Sequence, residues 1–229
     1  MRTKALLLLL VPIFSLSAAD PFEFGGDSLS STFTAGQERT TLTGHARIVS
    51  GNLEIQADTI ELWGPSFRYA QCTGSVKVLD RKKKMTIDAD SMTYDRTLKS
   101  SRLLGQGELQ DADHGVTVRA GLFDYDETSE RVTIQTGVRI FKGNLVCRSD
   151  YAVYDRTADS LELSGLPEVT KKRDVYRAGS IRVNLKTEDV LLDGRVSGTI
   201  IPEKSNKKGS SPEPPQEAPK PSPPEVPAP

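Results

Sequence analysis

Carboxylates, two histidines, two cysteines and a run of cations are the residues of this chain whose types could support chemistry. Asp58, Asp90 and Asp150 recur at one point of a repeat and could form the rungs of a metal ladder. Gly121 and Gly179 hold the same place in the other copies and have no side chain to ligate, so the aspartates read as residues of a bend. His45 follows Gly44, and His114 lies in the polar turn 111–115; neither has a partner at ligand spacing, and both read as solvated surface. Cys72 and Cys147 lack zinc-site spacing. Cys147 aligns with Ile55, Ile87 and Val118, and Cys72 aligns with Leu42, Leu103, Leu163 and Leu192, so both read as buried thiols in preference to a disulfide. The run Arg81-Lys82-Lys83-Lys84 reads as a solvated hairpin tip, with contact to an anionic head group as the lesser alternative. There is no glycine-rich phosphate loop, nucleophile elbow or zinc motif. The chain reads as non-enzymatic and without a cofactor.

The elements that carry these residues repeat about every thirty residues. A bend pair is followed four or five residues later by an aromatic-acid turn, in five copies: Ala57-Asp58, Ala89-Asp90, Ala120-Gly121, Ser149-Asp150 and Ala178-Gly179. The second members are spaced 32, 31, 29 and 29 residues apart. Gly44, Gly74, Gly105, Gly137, Gly165 and Gly194 run in step with them. A fixed period of this length means one supersecondary unit copied and stacked.

Apolar residues alternate with period two, which makes the elements strands. Through each glycine the parity is unbroken, as in Leu42, Gly44, Ala46, Ile48. In the alternate strand it slips once per copy: Leu53, Ile55 and Ala57 are odd, whereas Ile60 and Leu62 are even. Such a slip would reverse the inward face unless a residue is bulged out, so a β-bulge is expected at each bend pair. Tyr94-Asp95, Tyr125-Asp126 and Tyr154-Asp155 open near-identical turns, and Gly51-Asn52 and Gly143-Asn144 mark turns at the other end. The expected fold is all-β: an open β-jellyroll, or β-taco, of about eleven or twelve long kinked antiparallel strands. Its end strands, near 33–35 and 192–200, would be unpaired edges.

The ends differ in composition. Residues 1–19 read as a signal peptide, with Arg2 and Lys4 before an apolar stretch and Ser17-Ala18-Ala19 as the cleavage site. Residues 20–29 read as a linker and 30–201 as the domain. Residues 202–229 carry ten prolines among Lys, Glu and Ser and read as a disordered tail. Removal of the signal leaves 28 basic against 31 acidic residues, a balance that does not favour nucleic-acid binding.

The inward set includes Ile55, Leu62, Ile87, Met92, Tyr94, Val118, Phe123, Tyr125, Tyr154 and Tyr176. If the facing sheets splay, these residues line an apolar groove suited to acyl chains; if the sheets pack tightly, they form a core.

Leu42-Thr43-Gly44-His45-Ala46, Ile87-Asp88-Ala89-Asp90 and the Tyr-Asp turns resemble the OstA/LptA family, over roughly residues 30–200. The resemblance implies a periplasmic bridge protein of lipopolysaccharide transport that shelters the acyl chains of lipopolysaccharide or a related glycolipid. It also implies head-to-tail association through edge strands, and partners of related fold at the inner and outer membranes. The Pro-rich tail departs from the family's pattern. The alternative reading is a structural or adhesion β-solenoid with a filled core and no lipid cargo.

Overall fold

The structure is a computed structural model that describes residues 22–202; the segments read as a signal peptide and, beyond Pro202, as a tail lie outside the described residues. The strands are β1 (Phe22–Gly25), β2 (Ser28–Thr32), β3 (Arg39–Ser50), β4 (Leu53–Trp63), β5 (Tyr69–Asp80), β6 (Met85–Asp95), β7 (Ser100–Asp111) and β8 (Val116–Asp126). They continue as β9 (Arg131–Lys142), β10 (Leu145–Asp155), β11 (Ser160–Ser164), β12 (Glu168–Lys171), β13 (Asp174–Arg177), β14 (Ser180–Asn184), β15 (Val190–Asp193) and β16 (Ser197–Thr199). A single 3₁₀ turn at Pro65–Phe67 interrupts the series. No helix of the described residues is long and apolar enough to cross a membrane.

All sixteen strands belong to one antiparallel sheet that does not close. Eight of them are halves of kinked strands. β1 and β2 both pair β3, β11 and β12 both pair β10, and β13 with β14 and β15 with β16 follow the same two tracks. Joined across their kinks they give twelve long strands, within the eleven or twelve expected from the sequence. The segment read as a linker is part of this sheet: the first strand begins at Phe22, pairs Ser50, and moves the first edge from 33–35 to 22–32. Gly26-Asp27 is therefore a sixth bend pair, 31 residues before Asp58, which the sequence reading passed over.

The kink differs from expectation in one respect. The inward pairs Leu42↔Ile60 and Ala46↔Ala57 are four residues apart on β3 and three on β4. The extra residue thus lies on the glycine strand, where Gly44-His45 stands opposite Asp58 alone, and not at the bend pair. Gly74-Ser75 opposite Asp90 repeats the pattern. Both bulged residues have left-handed backbone, with φ of 69° and 49° at Gly44 and His45 and 76° and 48° at Gly74 and Ser75. The three-residue step on the partner is the phase slip visible in the sequence.

These bulges align from strand to strand and crease the sheet along one line. On one side lie the arms that end in the Tyr-Asp turns, the Tyr-Asp half; on the other lie those that end at Gly51-Asn52 and Gly143-Asn144, the Gly-Asn half. The inward faces of the two halves merge into one apolar cluster running from Leu42 to Leu185.

The turns follow from their aspartates. Asp95 accepts hydrogen bonds from the Thr97 and Leu98 backbone N–H groups at 2.9 and 3.1 Å, and Asp126 accepts from Thr128 and Ser129 at 2.8 and 3.2 Å. Asn184 does the same for Lys186 and Thr187 in the last copy.

Candidate functional site

The crease brings the predicted interior residues together. Ile55 and Ile87, on β4 and β6, and Val118, on β8, face inward from the Gly-Asn half; Leu62, Met92, Phe123, Tyr125 and Tyr154 face inward from the Tyr-Asp half. All eight are buried, with Val118 and Tyr154 at 0% exposure. Tyr94 and Tyr176 are half-buried, and Tyr94 packs against the same cluster. In this state the interior is a packed apolar core, and its two thiols belong to it. Cys72 and Cys147 are both free and buried, and burial pushes each thiol up to about 12.

The ends of the interior are less sealed. On the first edge Phe24 and Leu29 stand opposite the inward residues Ile48 and Leu42, yet are 51% and 49% exposed. On the last, Leu192 pairs the buried Ile181 and is only partly covered. Among the described residues neither β1 nor β15 has a second neighbour.

The long side opposite the crease is closed by polar side chains, and three residues there differ from expectation. Lys83, read as part of a solvated tip, turns inward. Its Nζ donates to Tyr125 Oη at 2.5 Å and to the Glu127 carbonyl at 3.3 Å, and lies 5.0 Å from the Tyr125 ring centre. Its neighbours are also engaged, Arg81 with Glu54 and Lys84 with Asp113. His114, read as solvated surface, places Nδ1 3.1 Å from Asp111 and Nε2 3.3 Å from Asp159, edge-on to Tyr154. Asp111 was not singled out at all. Its side chain is fully buried and accepts from Tyr154 Oη at 2.9 Å and from Arg156 Nε at 2.5 Å. Arg156 reaches further, to Glu130 at 2.7 Å and to the Lys83 carbonyl at 3.2 Å. Burial pushes the Asp111 carboxyl up, but hydrogen bonds from Arg156, His114 and Tyr154 outweigh it and hold the group below its ordinary value.

Lys83, in the turn after β5, and Asp111, the last residue of β7, belong to the Gly-Asn half, whereas Tyr125 on β8, Tyr154 on β10 and Arg156 just past β10 belong to the Tyr-Asp half. Each contact therefore spans the mouth of the fold. Asp111 and Arg156 gave no sequence signal because one ends a strand at a turn and the other opens a turn, both of ordinary polar composition. Their meeting depends on the crease.

His45 is exposed as expected, with Nδ1 2.9 Å from Asp27, whose carboxylate raises its pKa. A hollow of about 950 Å³ on the outer face of the Tyr-Asp half is lined in part by Trp63, Tyr69 and Tyr151. Its flanking charges are already paired, Arg68 with Asp95 and Arg102 with Asp124. Among the described residues no group of three or more His, Cys, Asp or Glu side chains is arranged to hold a metal ion.

No protein-family model and no curated protein matches the chain. Among solved structures it is similar to the crystal structure of LptH, the LptA-homologous periplasmic component of the lipopolysaccharide transport device of Pseudomonas aeruginosa. The identity is 11%, the match covers 80% of this chain and 96% of that one, and the TM-score is 0.25.

Proposed function

We propose that the chain is a non-enzymatic periplasmic carrier. It shelters the acyl chains of lipopolysaccharide or a related glycolipid between the halves of the creased sheet and helps to bridge the inner and outer membranes. One observation carries this reading: a single apolar interior runs along the whole stack and reaches two unpaired edges, where Phe24, Leu29 and Leu192 continue it toward solvent. Stacked copies, or transport components of related fold, would extend the interior by adding strands at these edges. Acyl chains inside would be stabilised by roughly 25 cal/mol per Å² removed from water, and the sugar would stay outside. The resemblance of the repeat motifs to the OstA/LptA family supports the same reading.

A second reading is favoured by the burial itself. With Ile87 1% and Phe123 1% exposed and the mouth closed, a structural β-solenoid with a filled core needs no cargo. Mass spectrometry of the protein purified with its native lipids separates the two. Copurifying glycolipid, displaced when Val118→Phe overfills the interior of a still-folded protein, is the expected result. A lipid-free protein that also ignores added lipopolysaccharide would sink the carrier reading.

A further inference from the structure

The side chains closing the mouth do something a filled sandwich does not require. Among the described residues every strand pairing runs along the sheet, and none joins the Gly-Asn half to the Tyr-Asp half across the mouth. The mouth is held by side chains at strand ends and turns 42 to 73 residues apart in sequence: Lys83 on Tyr125 and the Glu127 carbonyl, Asp111 on Tyr154 and Arg156, His114 on Asp159, and Arg156 on the Lys83 carbonyl. Parting the halves would break these contacts and draw apart the apolar cluster the halves share, but would break no ladder hydrogen bond. On the opposite side lies the crease, whose paired left-handed residues, such as Gly44-His45 and Gly74-Ser75, form a line about which the halves can swing.

A buried ion pair is a poor way to gain stability. Its desolvation cost offsets most of its attraction, and apolar side chains of similar size would hold the halves at least as well. What the pair gives instead is a closure with discrete made and broken states. We propose that Lys83, Asp111 and Arg156 form a latch, and that its release lets the halves part and admits apolar guests through the long mouth. The part concerning guests rests on the carrier reading, whereas the latch itself does not.

Cys72, in the Tyr-Asp half, and Cys147, in the Gly-Asn half, report on opening without any cargo, because each is fully buried while the mouth is shut. The test is the rate of reaction of these thiols with the uncharged reagent 4,4′-dithiodipyridine, on the full chain in native buffer and across a urea series below the unfolding transition. Arg156→Gln is expected to raise the rate about ten-fold or more, with a urea dependence much shallower than that of global unfolding, as for a local opening. Lys83→Met, at a side chain that is 16% exposed, serves if Arg156→Gln fails to fold, and the expected direction is the same. Unchanged rates in the folded variants, or rates that follow global unfolding, would overturn the latch. In parallel, uptake of the apolar dye N-phenyl-1-naphthylamine should speed up with thiol labelling. Faster labelling with no dye uptake would leave the latch standing and overturn the entry of guests together with the carrier reading.

Discussion

Asp90 occupies the space that a side chain at Gly105 would need: a Cβ built there falls 2.1 Å from Asp90 Oδ2 and 2.6 Å from Asp90 Cβ. Asp58 stands over Gly74 and Asp27 over Gly44 in the same way, at 2.2 and 2.3 Å. At the fourth bend the roles are exchanged. Gly121 takes the aspartate's place, and the Thr136 methyl lies 3.0 Å from where its Cβ would be. Each of these bends thus admits one side chain, supplied by either strand. This is why the Asp-for-Gly alternation in the sequence belongs to the crease and not to a ligand set.

Gly105→Ala should therefore destabilise the fold for two separable reasons. Its φ is 110°, where an L-residue is strained, and its methyl would meet Asp90. A loss of about 1–3 kcal/mol is expected for the backbone alone, with the clash added to it. Urea unfolding of Gly105→Ala with and without Asp90→Gly checks this. The second substitution should recover the clash part and leave the backbone part. Equal losses in both backgrounds would show that Asp90 moves aside freely.

The strands, their inward faces and the phase slip were legible because burial on one face forces a period of two, and a bulge must break that period. The odd Leu53, Ile55 and Ala57 followed by the even Ile60 and Leu62 carried that slip. Which strand held the extra residue was not legible, since parity records only the difference between partners, and a four-residue step against three looks the same from either side. The first bend, Gly26-Asp27, was missed because Phe24 and Leu29 flank it on an edge strand with only one neighbour, where alternation is weakest. The polar closure was hidden for a different reason. Asp111 and Arg156 are 45 residues apart, and their turns meet only after the sheet has creased. A buried Asp at a strand end and a buried Arg in a polar turn leave no mark on periodicity.

Acid should weaken the Gly-Asn half first around Glu54. Hydrogen bonds from Arg47, then Gln56, then Arg81, hold its pKa at about 2, well below the ordinary 4.5. A carboxyl whose pKa is lower in the folded state binds fewer protons there than in the unfolded state. Its contribution is therefore present in full above about pH 4.5 and is lost as pH falls toward about 2. After discounting for nearby solvent, about 1–2 kcal/mol is at stake. Stability measured from pH 6 to pH 2 should fall less steeply in Glu54→Gln than in the parent. Parallel curves would show that the cluster does not hold Glu54 ionised.

Phe123→Ala probes whether the interior is packed as tightly as its burial implies. Phe123 is 1% exposed, and its ring lies 2.6 Å from where a Cβ on Gly107 would sit, so the ring presses against the neighbouring strand at the crease. Removing it should cost about 3–5 kcal/mol if the surroundings cannot collapse. Adding a small apolar solute such as benzene should recover part of that loss, because a dry apolar cavity binds such solutes. A cost below about 1 kcal/mol with no effect of solute would mean that the creased halves close up readily over lost volume.

The two free edges predict association. Leu191 and Val196 are 62% and 57% exposed, one on β15 and the other just before β16, on an edge with no further neighbour among the described residues. Long exposed edges template strand addition, and natural sheets block it with charge, lysine above all. The first edge offers Phe24 and Leu29 as apolar complements. The parent chain should therefore form concentration-dependent head-to-tail species in sedimentation velocity. Leu191→Lys with Val196→Lys should weaken that association about ten-fold or more, since about 1.4 kcal/mol of lost edge burial corresponds to each factor of ten. Thermal stability of the monomer should hardly change, because neither side chain is packed in the core. Association that persists undiminished in the double variant would place the contact somewhere other than this edge.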